Sequence, residues 1–442
     1  MMKRPVLLLS AALLVACNAR SPEPDLRIAD RLVWSEAPIL VATGLEAGER
    51  YRLETERISF WDAGAAERSS LTYTADEAGR IDTSAQSPEE MDEVSPYLPI
   101  REMAYLSDTA LDGIEAGELR LRLIDPSGTE VARRTVGIGP DMAALLEEPL
   151  GDDFPGAYVI RSADRDGPAP AIVLLGGSEG GDQGSRATAP IFAAEGYTVL
   201  GLPYYSPAWW GQEPQFPDLP RGFAELPVDY LEDAVALLRQ RPDVDPDRIL
   251  LQGGSKGAEY VLLAGSLIPD SSPGGGFCGI VADVPSDVVW EGWGPGTEGG
   301  RTSGFSWRGE ALPFVPYTDM ARALDRDDAF TMTQAHETGR RDHPDLAKAA
   351  RIRVETIDEP VLVIGGDLDT TWASGRMART IAETRAAAGL ETESYVYPEG
   401  SHGVGGTPLA RTRAANLEAR LENFPATMAF IARAAKRVNC RK

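Results

Sequence analysis

The chain has 442 residues, 43% hydrophobic and 25% charged, the composition of a folded protein long enough for two or three domains. A formal net charge of −25 and a pI near 4.6 exclude nucleic acid as the natural partner, because phosphate backbones are bound by basic surfaces. Only three histidines are present, which leaves few places for chemistry that needs an imidazole base.

At the N-terminus, Lys3 and Arg4 precede an apolar run, Val6 to Val15, that is too short to cross a bilayer. The run ends in Leu14-Val15-Ala16-Cys17, and Asn18 and a Ser/Pro/Glu stretch follow. Small residues before a cysteine in this setting resemble the lipobox of a bacterial lipoprotein. Residues 1–16 are then expected to be a signal peptide, Cys17 the acylated first residue of the mature chain, and 17–26 a polar linker. Such a protein sits in the bacterial cell envelope, periplasmic or on the surface, and meets the membrane through its lipid alone. The alternative is an ordinary signal peptide cut near Ala16 or Ala19. From 27 to 140, short alternating stretches such as 51–56, 70–74 and 119–124 are separated by turn formers at Gly44, Gly48, 78–80 and 125–128. That spacing predicts a β-sandwich. It holds no cysteine or histidine, so neither a metal nor a nucleophile is expected there.

Beyond a bridge near 140–151 the texture changes, and from 152 to 442 strands alternate with helices. Strands are expected at 171–175, 197–202, 279–284, 360–366 and 394–397, and helices at about 186–194, 228–239, 374–388 and 409–436. The 228–239 stretch places Leu231, Ala234, Val235 and Leu238 on one face. Repeated β-α units predict a mostly parallel sheet with helices on both faces. An insertion from about 286 to 351 breaks the rhythm and carries Trp290, Trp293 and Trp307 among many glycines. Those rings are candidates for the wall of a substrate pocket; the alternative is a small aromatic core that holds a surface excursion together. An oxidising envelope would permit a bond between Cys278 and Cys440. Their settings, a core strand and a polar tail, point away from one.

The chemistry concentrates where Arg248–Gln252 runs into Gly253-Gly254-Ser255-Lys256-Gly257, with a helical pattern following at once. Gly253-x-Ser255-x-Gly257 between strand and helix matches the nucleophile elbow, a strained turn that raises a serine hydroxyl above a parallel sheet. Serine becomes a nucleophile only with a base to take its proton and a carboxylate to orient that base. His402, just beyond a strand, is the expected base, while His336 and His343 fall in the helical insertion and are expected on the surface. Of the acids at the end of the 360–366 strand, Asp369 lies further into the loop and is preferred to Asp367, which is expected to support the turn. The order Ser255, Asp369, His402 is that of α/β hydrolases. Two backbone amides must receive the developing oxyanion. They are expected from Lys256 and from Ser178 in Gly176-Gly-Ser-Glu-Gly-Gly181, with Glu179 the near alternative. That glycine-rich turn lacks the Gly-Lys-Ser/Thr of a phosphate cradle and an acidic ribose partner, so no cofactor or metal is expected.

Several strings together resemble the acyl-CoA thioester hydrolase / bile acid-CoA:amino acid N-acyltransferase family. They are Ala37–Gly48, Ala75–Asp82, Gly176–Gly181, Leu202-Pro-Tyr-Tyr205, Gly254-Ser-Lys-Gly-Ala-Glu259, Ile357–Trp372 and Gly400-Ser-His402, across roughly residues 28–436. The resemblance implies an N-terminal immunoglobulin-like β-sandwich on an α/β-hydrolase domain, and a triad of Ser255, Asp369 and His402. It also implies a small-molecule acyl thioester, of acyl-CoA type, or a carboxylic ester as substrate. Two departures bear on function. The amidating branch of that family uses a cysteine nucleophile, and serine here favours hydrolysis over transfer to an amine. The lipobox would place the protein away from intracellular acyl-CoA, opening other esters, thioesters or amides. The expectation is therefore a serine hydrolase acting through an acyl-enzyme. An acyltransferase or amidase on the same triad, and a non-catalytic surface binding lipoprotein, are the alternatives.

Overall fold

The computed structural model describes residues 23–59, 65–106, 111–208, 213–325, 327–438 and 440. Residues 1–16, expected to be a signal peptide, and Cys17 lie outside the described residues. The first described domain pairs two small sheets. One has the order β2 (Arg31–Leu32), β9 (Glu130–Ile138), β8 (Glu118–Ile124), β4 (Arg50–Ile58), β5 (Ala66–Thr74), β7 (Ala104–Leu106). The other is β1 (Asp25–Arg27), β3 (Val41–Thr43), β6 (Ile81–Asp82). Alternation explains their packing, since successive side chains of a strand leave on opposite faces. Leu119, Leu121 and Leu123 of β8 point into a core shared with Leu53, Leu71 and Val136, and with Leu26, Ala42 and Ile81 from the smaller sheet. Arg120 and Arg122 take the outer face, where Arg120 and Arg68 flank the fully buried Glu56. A short helix, α1 (Leu98–Arg101), closes one end.

An eight-stranded sheet follows: β10 (Leu145–Pro149), β11 (Tyr158–Ser162), β12 (Ala169–Leu175), β13 (Thr198–Gly201), β15 (Val244–Gly254), β16 (Gly279–Asp283), β19 (Val361–Gly366) and β20 (Thr392–Tyr397). Its spatial order is β10-β11-β13-β12-β15-β16-β19-β20, and β11 alone runs against the others. The inner strands are apolar on both faces because both are covered. Ala171, Val173, Leu175, Ile249 and Leu251 face a core with α4 (Asp229–Leu238), α5 (Lys256–Leu267) and α9 (Ser374–Ala387). Ile172, Leu174 and Leu250 face the opposite core with α3 (Ala189–Ala194) and α10 (Ala414–Ala434), next to the short α2 (Gln183–Arg186). Strand order, the single reversed strand and the two helical layers make this domain an α/β-hydrolase fold.

The structure departs from the sequence-based expectation in several places. The sheet begins at Leu145 rather than after Gly151, because β10 is an edge strand whose Glu147 and Glu148 are exposed and leave no apolar run to notice. Helix α10 begins at Ala414, not 409, with Arg413 still extended at ψ 157°. Cys278 and Cys440 form a disulfide. The tail is not free: Phe430, Ile431, Ala434 and Ala435 pack on the sheet, and the chain then turns Cys440 back into the core beside Cys278. The 286–351 excursion keeps the expected bounds and closes on itself, with Val288 bridged to Arg351. Within it lie β17 (Phe305–Trp307), β18 (Glu310–Ala311), α6 (Met320–Ala323), α7 (Met332–Asp342) and α8 (Pro344–Ala349). The first two join β14 (Leu226–Pro227) in a three-stranded sheet.

Candidate active site

Strand β15 delivers Ser255 to the top of the sheet in a left-handed conformation, φ 57° and ψ −119°. A serine pays for such geometry in steric strain, so the surroundings must impose it. They do so through contact. A Cβ at Gly257 would overlap the carbonyl oxygens of Gly176 and Leu175, and one at Gly253 would overlap that of Gly257. The Ser255 amide is tied to the Asp283 carbonyl at 2.9 Å. Helix α5 starts at Lys256, whose amide donates to no acceptor among the described residues.

His402 sits in the loop after β20, and its Nε2 lies 2.9 Å from Ser255 Oγ. Its Nδ1 lies 2.8 Å from Asp369 Oδ2. A carboxylate only accepts, so Nδ1 carries the proton and Nε2 is left to accept from the serine hydroxyl. Asp369, in the loop after β19, has no exposed side-chain surface and is held by four donors in all. Besides His402 they are the amides of Thr371 (2.9 Å) and Trp372 (3.3 Å) and the Ser374 hydroxyl (2.6 Å). Asp367 instead faces outward and pairs with Arg379 at 2.6 Å. Trp372 sets its ring edge-on to the imidazole at 5.9 Å and donates its indole N–H to the Val284 carbonyl.

The turn after β12 lies against the nucleophile: a Cβ on Gly177 would sit 3.1 Å from that of Ser255. Here Glu179 matters in a way its sequence position did not reveal. Its carboxylate accepts the Gly177 amide at 2.8 Å and also its own amide. Both N–H groups are thereby occupied. The Ser178 amide between them donates to no described acceptor, and Tyr204 fixes the Gly176 carbonyl from the other side at 2.9 Å. Burial pushes the Glu179 carboxyl up from its ordinary pKa.

Beneath the elbow lies a second feature that the motifs did not announce. Lys256 and Glu259 form a buried ion pair at 2.8 Å, and Glu259 accepts the Trp290 amide at 3.2 Å. The Lys256 ammonium lies over the rings of Phe223, Phe305 and Trp372 at 5.5 to 5.7 Å. Trp290 is fully buried and packs with Val288, Val315, Ala350, Trp372 and Met377. Trp293 rests partly buried against Phe223 and Tyr205, and Trp307 lies under the Arg308 guanidinium at 4.4 Å. His336 is not on the surface as expected. It is buried between Trp290 (4.5 Å), Tyr317 (4.9 Å) and Trp372 (5.9 Å), and burial depresses its pKa to about 3. Helix α7 turns its apolar side inward here, a placement set by the long-range closure of the excursion. His343, between α7 and α8, is half-buried.

The chain is thus an α/β hydrolase in fold, with serine, histidine and aspartate in one hydrogen-bonded row at the carboxyl ends of its strands. No family profile matches it. Its curated relatives are acyl-CoA thioesterases, in keeping with the resemblance carried by the motifs. The mitochondrial acyl-coenzyme A thioesterase 2 of Rattus norvegicus is 28% identical over 237 residues, 53% of this chain and 45% of that one. Acyl-coenzyme A thioesterase 1 of Mus musculus is 27% identical over 237 residues, 53% and 49% of the two chains. Acyl-coenzyme A thioesterase 6 of Homo sapiens is 26% identical over 276 residues, 62% and 54%. The chain therefore spans about half the length of the curated relatives it matches. Among solved structures, the butyrate-bound Est2 esterase of Thermogutta terrifontis is 18% identical and covers 68% of this chain and 98% of its own, with a TM-score of 0.42.

Proposed function

We propose that the protein is a serine hydrolase cleaving acyl thioesters or carboxylic esters through an acyl-enzyme on Ser255, His402 and Asp369. The observation that carries this is the unbroken row from Ser255 Oγ through His402 to Asp369. In the first half-reaction His402 Nε2 takes the hydroxyl proton as Oγ attacks the acyl carbon. The resulting imidazolium is stabilised by Asp369, and its proton goes to the departing thiolate or alkoxide. Water then enters by the same route: His402 takes its proton, hydroxide attacks the ester, and the proton returns to Ser255 as the acid leaves. The oxyanion of both steps is assigned to the amides of Lys256 and Ser178. Glu179 supports Ser178 over its own amide, because its carboxylate already occupies the amides on either side.

Serine as the nucleophile favours water over an amine as the acyl acceptor. Thioesters of the acyl-CoA type are proposed ahead of simple esters because the curated relatives are acyl-CoA thioesterases by name. Acyl-CoAs and p-nitrophenyl esters of graded chain length, followed by thiol or nitrophenol release, test the assignment. Turnover of at least one series is expected. No turnover of either, with no labelling by a fluorophosphonate, overturns it.

An envelope location remains part of the proposal, and the Cys278–Cys440 bond supports it, since disulfides persist mainly in oxidising compartments. A diacylglyceryl mass on an N-terminal Cys17 is expected from the protein isolated from membranes. An unacylated N-terminus would remove the anchor.

A further inference from the structure

The loop that carries His402 has almost no regular structure of its own. Between the end of β20 at Tyr397 and the start of α10 at Ala414 it forms only turns and bends. A base that must meet Ser255 Oγ at hydrogen-bond distance therefore depends on what grips this segment from outside. One grip comes from α10, which turns three polar side chains towards it at helical spacing. Asn416 accepts the Ser401 amide at 2.9 Å, Arg420 donates to the Gly403 carbonyl at 3.0 Å, and Asn423 donates to the Val404 carbonyl at 3.0 Å.

The other grip comes from the other domain. Arg57 on β4 and Glu67 on β5 stand directly opposite each other in the sandwich and pair at 2.6 Å, with both side chains largely buried. The Arg57 guanidinium then reaches across the chain to the Leu409 carbonyl at 3.2 Å. Glu67 also lies 3.9 Å from Arg411. Leu409 and Leu417 are buried in the sandwich core, among the leucines of β4, β5 and β8. The far end of the histidine loop is thus seated inside the β domain, while its near end is held by α10.

We propose that the N-terminal β-sandwich is a positioning domain for His402, acting through the Arg57–Glu67 pair and the buried Leu409, rather than a separate binding module. Arg57 touches no reacting atom and acts through the loop. This rests on the serine-hydrolase assignment for its catalytic consequence, but its structural half does not. A misplacement of about 1 Å at a reacting group is enough to cost about 100-fold in rate.

The test uses the full chain with Arg57→Met, which keeps the aliphatic stem, and Glu67→Gln, which keeps the volume and removes the charge that orients Arg57. Arg122→Met is the control, because Arg122 pairs with Glu54 and Glu130 on the same sheet and makes no contact with the loop. Three readouts are taken: the rate of fluorophosphonate labelling at Ser255, kcat and KM on an ester substrate, and backbone hydrogen exchange across residues 400–411. Arg57→Met and Glu67→Gln should slow labelling by about 10- to 100-fold. They should lower kcat with little change in KM and raise exchange in the loop about tenfold or more, whereas Arg122→Met does none of these. Wild-type labelling and loop exchange in both variants would overturn the proposal. Should the wild type neither turn over a substrate nor take up the label, the hydrolase assignment fails, and loop exchange alone then decides whether the sandwich holds this segment. Should Arg57→Met not fold, Glu67→Gln carries the same readouts.

Discussion

Ser255→Ala is expected to lower kcat by about 10⁶-fold, the loss typical when the nucleophile of such a unit is removed. Among the described residues the hydroxyl makes one hydrogen bond, to His402, and the strained backbone at this position is imposed by Gly253, Gly257 and the Asp283 carbonyl rather than by Oγ. Melting should therefore stay within a few degrees of the wild type. Covalent labelling by a fluorophosphonate should vanish. A variant that keeps more than a few per cent of the activity would assign the nucleophile elsewhere.

Asp369→Asn is expected to cost about 10⁴-fold in kcat, because an amide at this place offers an N–H to Nδ1 and stabilises the wrong tautomer of His402. The fold should tolerate it: the Thr371 and Trp372 amides still find an acceptor in the Asn side-chain oxygen, and the Ser374 hydroxyl, which shares its carboxylate oxygen with His402, can accept from the new amide and donate to the Gly366 carbonyl instead. Asp367→Asn, two residues away, should stay within a few-fold of the wild type, since that carboxylate is spent on Arg379 at the surface. Assaying both on one ester substrate settles the choice of acid; the reverse order of effects would exchange their roles.

What the sequence made legible and what it hid divide along a physical line. The elbow could be read because its glycines are demanded locally, by backbone atoms that a Cβ would strike. The strands of the main sheet could be read because burial on both faces leaves continuous apolar runs such as Ala171–Leu175 and Val361–Ile364. Asp369 could be placed because it follows such a strand, and His402 because it follows the aromatic and β-branched end of β20. Features set by distant closure were not legible. His336 looks like a polar position on a charged helix, and only the folding of the excursion against Trp290 and Trp372 buries it. The tail that carries Cys440 is polar in composition, yet the apolar face of α10 brings it to Cys278. Lys256 and Glu259 could have been flagged: opposite charges three residues apart at the start of an otherwise apolar helix suggest a pair, though not that it is buried beneath the nucleophile. The grip of Arg57 on Leu409 spans 352 residues and has no local signature.

The most direct measurement is a rapid acid quench of the enzyme during turnover of an acyl thioester, followed by intact-mass and peptide analysis. The account predicts a mass increase equal to one acyl group, carried on the peptide that contains Ser255 and missing from Ser255→Ala. Full turnover with an unmodified Ser255 peptide at every time point, even when deacylation is slowed by a hindered acyl group, would contradict it.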